Sequence, residues 1–448
     1  MINFKSSLLS YAVALFSLPV IASNSYDSFI GDAKIDGKVQ TVFFNDKNTS
    51  ANTTSGAWTG AVWLNAQTGY LADFLNIGGS AYRVAKLEMK SGNQGSSELL
   101  NADKEGFGKL GQAWVDFKLP ESYEGVSADV KIGRQLVETG LISISGSRSV
   151  PSSWQGVDAS VNMDNFNGKI AWVNEVSERT QSGFHHIVNA ENEQIDWIVG
   201  MQLGYTFDLA NQRSLELQYN NGLARKYVNA HNGNVIFTTP LHNDSTLTLT
   251  GMYYYSKQDG DLWNWTSTNA PFEDKAQSGN LNAVLEHGPW TLNAGVTYTK
   301  AKTSSSNQQN GYQTIGNYDY NLGSNTEGAY NVPSNAIYSS FNFDKETAWM
   351  VGAEYDFSSM GINGLSLGYN YIYGSGMKAR HIASNTEQDV NESESDLTLT
   401  YKLSQPELKG LQLKVEYAYY KNSDAFYNAT GQNEARDLRA WLSYSFAI

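Results

Sequence analysis

The chain has no cysteine in 448 residues. A disulfide framework is therefore excluded. Its absence suits a protein that crosses an oxidising periplasm and must avoid stray pairing. Proline is scarce, 8 residues against 40 glycines, which fits many strands joined by turns. Basic residues fall short of acidic ones, 31 to 45, giving a net charge of −14. That deficit argues against a nucleic-acid partner. Beyond the first two dozen residues there is no apolar run long enough for a spanning helix. Phosphate-loop, zinc and EF-hand patterns are also missing. His185-His186 has no further His or Cys at ligand spacing and reads as a solvated loop, so neither metal nor cofactor is expected. Gly364-Leu-Ser-Leu-Gly368 matches a hydrolase elbow in letters. That elbow needs a strand–turn–helix setting, whereas here the segment continues as an alternating strand to Tyr373. No catalytic set can be assembled, and an enzyme is not expected.

What the chain does contain is alternation. Leu442, Tyr444, Phe446 and Ile448 fall on one face of an extended strand, with Ser443, Ser445 and Ala447 on the other. Leu411 to Tyr419, Leu397 to Leu403, Leu365 to Tyr373, Trp349 to Phe357, Trp290 to Tyr298 and Trp197 to Phe207 repeat the pattern. Aromatics mark the ends of the apolar faces, as in Trp197/Phe207 and Trp290/Tyr298, where a membrane barrel carries its interfacial girdles. Hydrophobic content is 41% and mean hydropathy −0.42, which alone would suggest a soluble protein. A barrel with a polar lumen dilutes its apolar residues to this degree.

Residues 1–22 read as a cleaved secretory signal. Lys5 supplies the charge, Leu8 to Leu18 the apolar region, and Val20-Ile21-Ala22 the cleavage site. Residues 23–448 are then one domain. The expected fold is an all-β transmembrane antiparallel barrel of about eighteen strands, from near Ala33 to a last strand near Arg436. Intermediate starts include Thr59, Asn234 and Glu392. An even count puts both ends on the periplasmic side. Leu209–Arg213, Leu241–Asp244 and His287–Pro289 then read as short periplasmic turns, and Glu178–Asp196, Lys257–Lys275 and Lys302–Glu346 as long external loops.

So wide a barrel is not filled by its own side chains, and no plug segment precedes Ala33. An in-folded loop is the expected constriction. The stretch after the fifth strand, Gln135 to Gly156, is unusually apolar for a loop and carries Glu138, Arg148, Pro151 and Trp154. Glu138 and Arg148 are candidates for opposed charges across an eyelet, the alternative being a salt bridge that only shapes the loop. Trp154 and the lumen-facing Trp114 are candidate sugar platforms, since aromatic rings supply apolar area at low entropic cost. The alternative for each is a girdle or packing tryptophan. Trp263 and Trp265 form either an external capture patch or a loop cluster.

Lys131-Ile-Gly-Arg-Gln135 followed by Ser147-Arg-Ser-Val-Pro-Ser-Ser-Trp-Gln-Gly156 resembles the third-loop signature of the OprD family of substrate-specific porins, closest to its chitoporin-like branch. Thr139-Gly-Leu141, Trp172-Val-Asn-Glu175, Val351 to Asp356 and Gly368 to Tyr373 stand in matching order. The resemblance implies an eighteen-stranded barrel with a narrow, loop-lined eyelet, and adds Arg134 and Asp158 to Glu138 and Arg148 as candidate constriction residues. The bases assigned to the lumen, Lys131, Lys402 and Lys414, are scattered among Asp116, Asp129, Asp158, Glu354 and Asp356. That pattern departs from the branch that guides carboxylates along a basic ladder. The expected function is passive, partly selective diffusion of small nutrients, chitooligosaccharides first, with amino acids, peptides or small carboxylates as the alternative and a barrel enzyme or adhesin behind them. Expected partners are the solute, outer-membrane lipid and lipopolysaccharide, with a monomer or trimer equally open.

Overall fold

The computed structural model describes residues 25–49, 53–89, 98–119, 125–242, 244–266, 268–405 and 408–447. The expected signal segment and its cleavage site lie outside the described residues. A short helix, α1 (Ser25–Gly31), leads into eighteen long strands. The first six are β1 (Lys34–Asn48), β2 (Thr53–Gln67), β3 (Leu75–Met89), β4 (Phe107–Lys118), β5 (Val126–Gln135) and β6 (Ser153–Met163). The next six are β7 (Phe166–Ser177), β8 (Ile198–Leu209), β9 (Arg213–Ala224), β10 (Val228–Pro240), β11 (Ser245–Gln258) and β12 (Lys275–His287). The last six are β13 (Trp290–Lys300), β14 (Thr347–Asp356), β15 (Leu365–His381), β16 (Thr386–Lys402), β17 (Leu411–Asn422) and β18 (Ala435–Ala447). A second short helix, α2 (Asp424–Thr430), sits in the final loop.

Each strand pairs antiparallel with its sequence neighbours, and β18 pairs with β1 from Asp36↔Ala447 to Asn48↔Ala435. The sheet is thereby closed. Closure removes the edge that hydrocarbon would not tolerate, because lipid offers no partner for a free N–H or C=O. Period-two alternation sets the faces. On β14, Trp349 and Val351 are each 58% exposed, while the alternate residues Ala348 and Met350 are buried. The exposed face is the lipid face and the buried one looks inward. No helix among the described residues is long and apolar enough to cross a membrane; the strands do the crossing.

Connections alternate in length over part of the barrel, but 225–227 and 382–385 lie at the long-loop end and are as short as the turns opposite. Connections at the end shared by both chain termini are short, for example 164–165, 210–212 and 288–289. Gly288 turns the last of these with φ +55, a conformation glycine adopts without strain. At the opposite, external end lie L2 (described from Glu98 to Gly106), L3 (136–152), L4 (178–197) and L7 (301–346). Three strands begin earlier than alternation suggests: β2 at Thr53 rather than Thr59, β10 at Val228 rather than Asn234, β16 at Thr386 rather than Glu392. All three extra segments are at the external end. There the hairpins rise above the apolar band: outward residues such as Glu387 and Asp389 are polar, while inward ones such as Ala57, Val228, Ala230 and Val390 pack under the loops, so the apolar side switches and the alternating signal breaks.

Candidate functional site

L3 crosses the lumen. Its first half lies on the β8–β9 wall, where the Leu141 N–H donates to the Asn221 carbonyl at 3.2 Å. Gly140, at φ +63, packs so closely that a Cβ would collide with that same carbonyl. Its second half reaches the β1–β2 wall. The Ser149 carbonyl accepts from Gln40 Nε2 at 2.6 Å and from Trp63 Nε1 at 2.9 Å, and its hydroxyl lies 2.6 Å from Thr59 Oγ1. Between these anchors the apolar residues Val137, Leu141 and Ile142 are buried with Val173, Val176 and Ile198 of the wall. The apolar character of the loop is thus its inner-wall contact.

A second loop meets it. L7 was expected as an external loop, but it folds inward with Leu322 and Phe341 buried. The Ala329 N–H donates to the Leu141 carbonyl, joining L7 to L3. On the other side β16 grips L7 with an inward row of acids, read in sequence as Glu392-Ser-Glu-Ser-Asp396. Glu394 accepts the N–H groups of Tyr338 and Ser339 at 2.7 and 2.9 Å. Glu392 accepts the Ser339 hydroxyl at 3.0 Å, and Asp396 the Ile337 N–H at 3.3 Å. Carboxyl oxygens that accept backbone N–H groups satisfy donors that a buried loop would otherwise leave unpaired, so this row clamps the loop to the wall.

Between the L3 tip and L7 remains a space of about 530 Å³. Gly146 and Ser147 face Asn335, Ala336 and Ile337 across it. The wall contributes Lys38, Lys414, Arg439 and Trp441, with Asp396 and Glu416 among them. Lys414 pairs with Glu416 at 2.5 Å and Arg439 with Asp437 at 2.7 Å. Lys38 has no ion-pair partner among the described residues; its ammonium lies 4.7 Å from the centre of the Trp63 ring.

The candidate residues fall in different places. Arg148 is beside this space, its guanidinium 4.9 Å from the Phe44 ring, with Arg439 on the same ring at 5.2 Å. Its carboxylate partner is Glu98 of L2 at 3.0 Å, in place of the expected opposition to Glu138. Glu98 also holds Arg179 of L4, which reaches Glu327 of L7 at 3.3 Å. Four loops are therefore joined by two arginines and two glutamates. Burial, with Arg179 and Arg439 nearby, pulls Arg148 down to about 10. Burial pushes Glu98 up, but Arg179 and Arg148 outweigh it and hold its carboxyl below the usual range. Glu138 is exposed and does not line the space.

Arg134 shares register parity with the outward Ile132 and stacks on Phe184 at 4.5 Å, so it too stays off the space. Asp158 is a loop anchor, accepting the Thr139 hydroxyl at 2.7 Å. Trp154 corrects the expectation most sharply. It is 0% exposed, and its indole N–H donates to the Ser143 carbonyl at 2.9 Å. It pins L3 and offers no ring face to a solute. Trp114 does point inward, beneath the Lys131 ammonium at 4.5 Å and against Gly78, nearer the short-turn end. Trp263 packs on Tyr227 and Phe272, a loop cluster.

Lys38, Arg439 and Trp441 were missed in the sequence. Arg439 and Trp441 carry the opposite parity to Leu442 and Tyr444, so alternation already placed them inward. What alternation does not give is their height relative to L3.

The chain matches the model of the family described as outer membrane porin, OprD family, over residues 27–448. No curated protein matches it. Among solved structures it resembles a BenF-like porin from Pseudomonas fluorescens Pf-5, with 18% identity, 94% of this chain and 100% of that chain covered, and a TM-score of 0.74. It resembles OccAB1 of Acinetobacter baumannii at 18% identity, covering 94% and 98%, with a TM-score of 0.77. It resembles OpdK of Pseudomonas aeruginosa, solved with vanillate, at 18% identity, covering 94% and 100%, with a TM-score of 0.71. A closed eighteen-stranded barrel, a lumen narrowed by loops and a family match over nearly the whole chain agree: this protein belongs to the OprD family of outer membrane porins, channels of the bacterial outer membrane for small solutes.

Proposed function

We propose that the channel passes small organic solutes bearing a carboxylate, amino acids and organic acids included, by passive and partly selective diffusion. The observation that carries this reading is the convergence of Lys38, Lys414 and Arg439 on the space between L3 and L7, with Lys38 outside any described ion pair. A cation on an inner wall attracts a carboxylate more strongly than it would in bulk water, because the surrounding dielectric is lower. Asp396 and Glu416 line the same space and suit the ammonium of a zwitterion. Vanillate, held by OpdK, is itself an aromatic carboxylate.

A second reading, diffusion of chitooligosaccharides, draws on the resemblance to the chitoporin-like branch and on the inward rings of Trp63, Trp114 and Trp441. Burial of Trp154 takes one expected platform from it. Arg134 and Glu138 do not line the space in either reading, Asp158 acts on it only by anchoring L3 through Thr139, and Arg148 borders it.

Single-channel recording in planar bilayers separates the two. Vanillate or glutamate should block the open channel in a concentration-dependent way, and Lys38→Gln should weaken that block severalfold. Block by chitotriose alone, with no response to either carboxylate, would transfer the proposal to sugars. We also propose that residues 1–22 are removed on export, leaving 23–448 as the barrel domain. N-terminal sequencing of the protein recovered from outer membranes should begin at Ser23.

A further inference from the structure

The outer wall carries a notch. β14 begins at Thr347, which pairs with Tyr298 on one side and Ser375 on the other. Its neighbours continue further, β13 to Lys300 and β15 to His381. The gap above β14 is floored by L7. There the Lys345 N–H donates to the Thr299 carbonyl at 2.9 Å, and the Asp344 N–H to the Gly316 carbonyl at 2.7 Å. The resulting cleft measures about 780 Å³.

Register shows which way it opens. On β13 the lipid-facing row runs Trp290, Leu292, Tyr298, and the next residue of that parity is Lys300. On β15 the row Tyr369, Tyr371, Tyr373 is also lipid-facing. A bulge between Gly374 and Met377, with Gly376 at φ +94, then shifts the parity. Met377 and Ala379 are buried inward, so Lys378 and Arg380 continue the outward face. On both sides of the notch cations thus stand immediately above lipid-facing aromatics. Such aromatics mark the membrane interface, and the long-loop end is the external one. The cleft lies where headgroups of the outer leaflet lie.

Its charge is unusual for this chain. Acids outnumber bases 45 to 31 overall. In the cleft the order reverses, with Lys275, Lys300, Lys302, Lys345, Lys378 and Arg380 against Glu273, Asp274, Asp344 and Glu387. Two of those acids are engaged, Asp274 by the Gln258 amide at 3.2 Å and Asp344 by the Ala301 N–H at 2.9 Å. Lys378 faces Asp389 at 3.8 Å, a loose surface pair. Lys275, Lys300, Lys302 and Lys345 have no ion-pair partner among the described residues.

We propose that this cleft binds the phosphorylated sugar headgroup of an outer-leaflet glycolipid. The lysines take the phosphates by charge-assisted hydrogen bonds, the remaining acids accept sugar hydroxyls, and the acyl chains descend over Tyr298, Leu292, Trp349 and Val351. The inference rests on placement in the outer membrane and is independent of the solute proposed above.

Native mass spectrometry of the full-length detergent-solubilised protein tests it, with lipid A bearing two phosphates and the same lipid stripped of both as probes. The wild-type protein should retain the bisphosphorylated lipid at least fivefold more than the stripped one. The Lys300→Gln/Lys302→Gln/Lys378→Gln variant should lose that excess while keeping wild-type single-channel conductance, since the cleft is outside the lumen. Equal retention of the two lipids by the wild-type protein overturns the proposal without reference to any variant. Undiminished retention by a variant that conducts normally overturns it too. So does complete displacement of the lipid by millimolar inorganic phosphate, which would mark the cleft as a site for the free anion.

Discussion

Replacing Trp154 by alanine should free L3 while leaving the barrel closed. The side chain is fully buried beside Val137, Leu141 and Ile142 of the loop, and its N–H bonds the Ser143 carbonyl. Deleting a buried tryptophan costs about 3–5 kcal/mol, the hydrogen bond contributing about 1 kcal/mol of it. The strand ladder does not depend on that side chain, because Gln135↔Trp154 pairing runs through the backbone. The loss therefore falls on the loop. L3 is otherwise held by bonds at Thr139, Leu141 and Ser149. Counting about 1 kcal/mol per hydrogen bond and about 3 kcal/mol for the packing of the indole, the whole attachment is worth about 9 kcal/mol, and the wild-type loop is released about once in 10⁶. Losing about 4 kcal/mol raises that nearly a thousandfold, at roughly tenfold per 1.4 kcal/mol. Single-channel records of Trp154→Ala should show bursts of higher conductance and greater open-channel noise. Trp154→Phe, which keeps a ring and loses the N–H, should lie close to wild type. A Trp154→Ala protein that runs as a folded, heat-modifiable barrel on gels yet conducts with wild-type amplitude and noise would refute the assignment of L3 as the constriction.

Other consequences are open to measurement. Glu98→Gln removes the shared partner of Arg148 and Arg179, an exposed attachment worth about 1 kcal/mol. Channel noise in the variant at 0.1 M salt should match that of the wild type at 1 M, where screening weakens the same pairs; wild-type noise independent of salt would dismiss the cluster as a restraint on the four loops. Burial raises the Asp319 carboxyl of L7 to about 6, against the pull of the Asn321 N–H. A raised acid favours the folded loop while protonated, so its contribution is present below pH 4 and is lost as pH rises through 6. Amide exchange in L7, corrected for intrinsic rates, should quicken across that window in the wild type and stay level in Asp319→Asn; parallel profiles would exclude Asp319 as the titrating group. Circular dichroism of the detergent-solubilised protein should be strand-dominated, and unboiled samples should migrate apart from boiled ones; a helical spectrum would contradict the barrel.

Strand identity, count and facing were legible from the residues because period-two alternation is local. Trp349 and Val351 face lipid and Ala348 and Met350 face inward whatever the rest of the chain does. The apolar composition of L3 similarly marked it as a loop that packs on protein. Partners across the lumen were not legible. Arg148 is bound by Glu98 of another loop, and nothing near Glu138 in sequence forbids the expected pair. L7 looks like any polar external loop until β16 presents Glu392, Glu394 and Asp396 to its backbone. Lys38 and Arg439 come from opposite ends of the chain and share one space only because β18 closes on β1. A barrel with a polar lumen and an apolar loop to narrow it can be read from the residues alone, since both depend on side chains a residue or two apart. Which charges meet at the narrowing was decided by closure and by the depth to which L3 and L7 fold inward, both of which arise from contacts between residues remote in sequence.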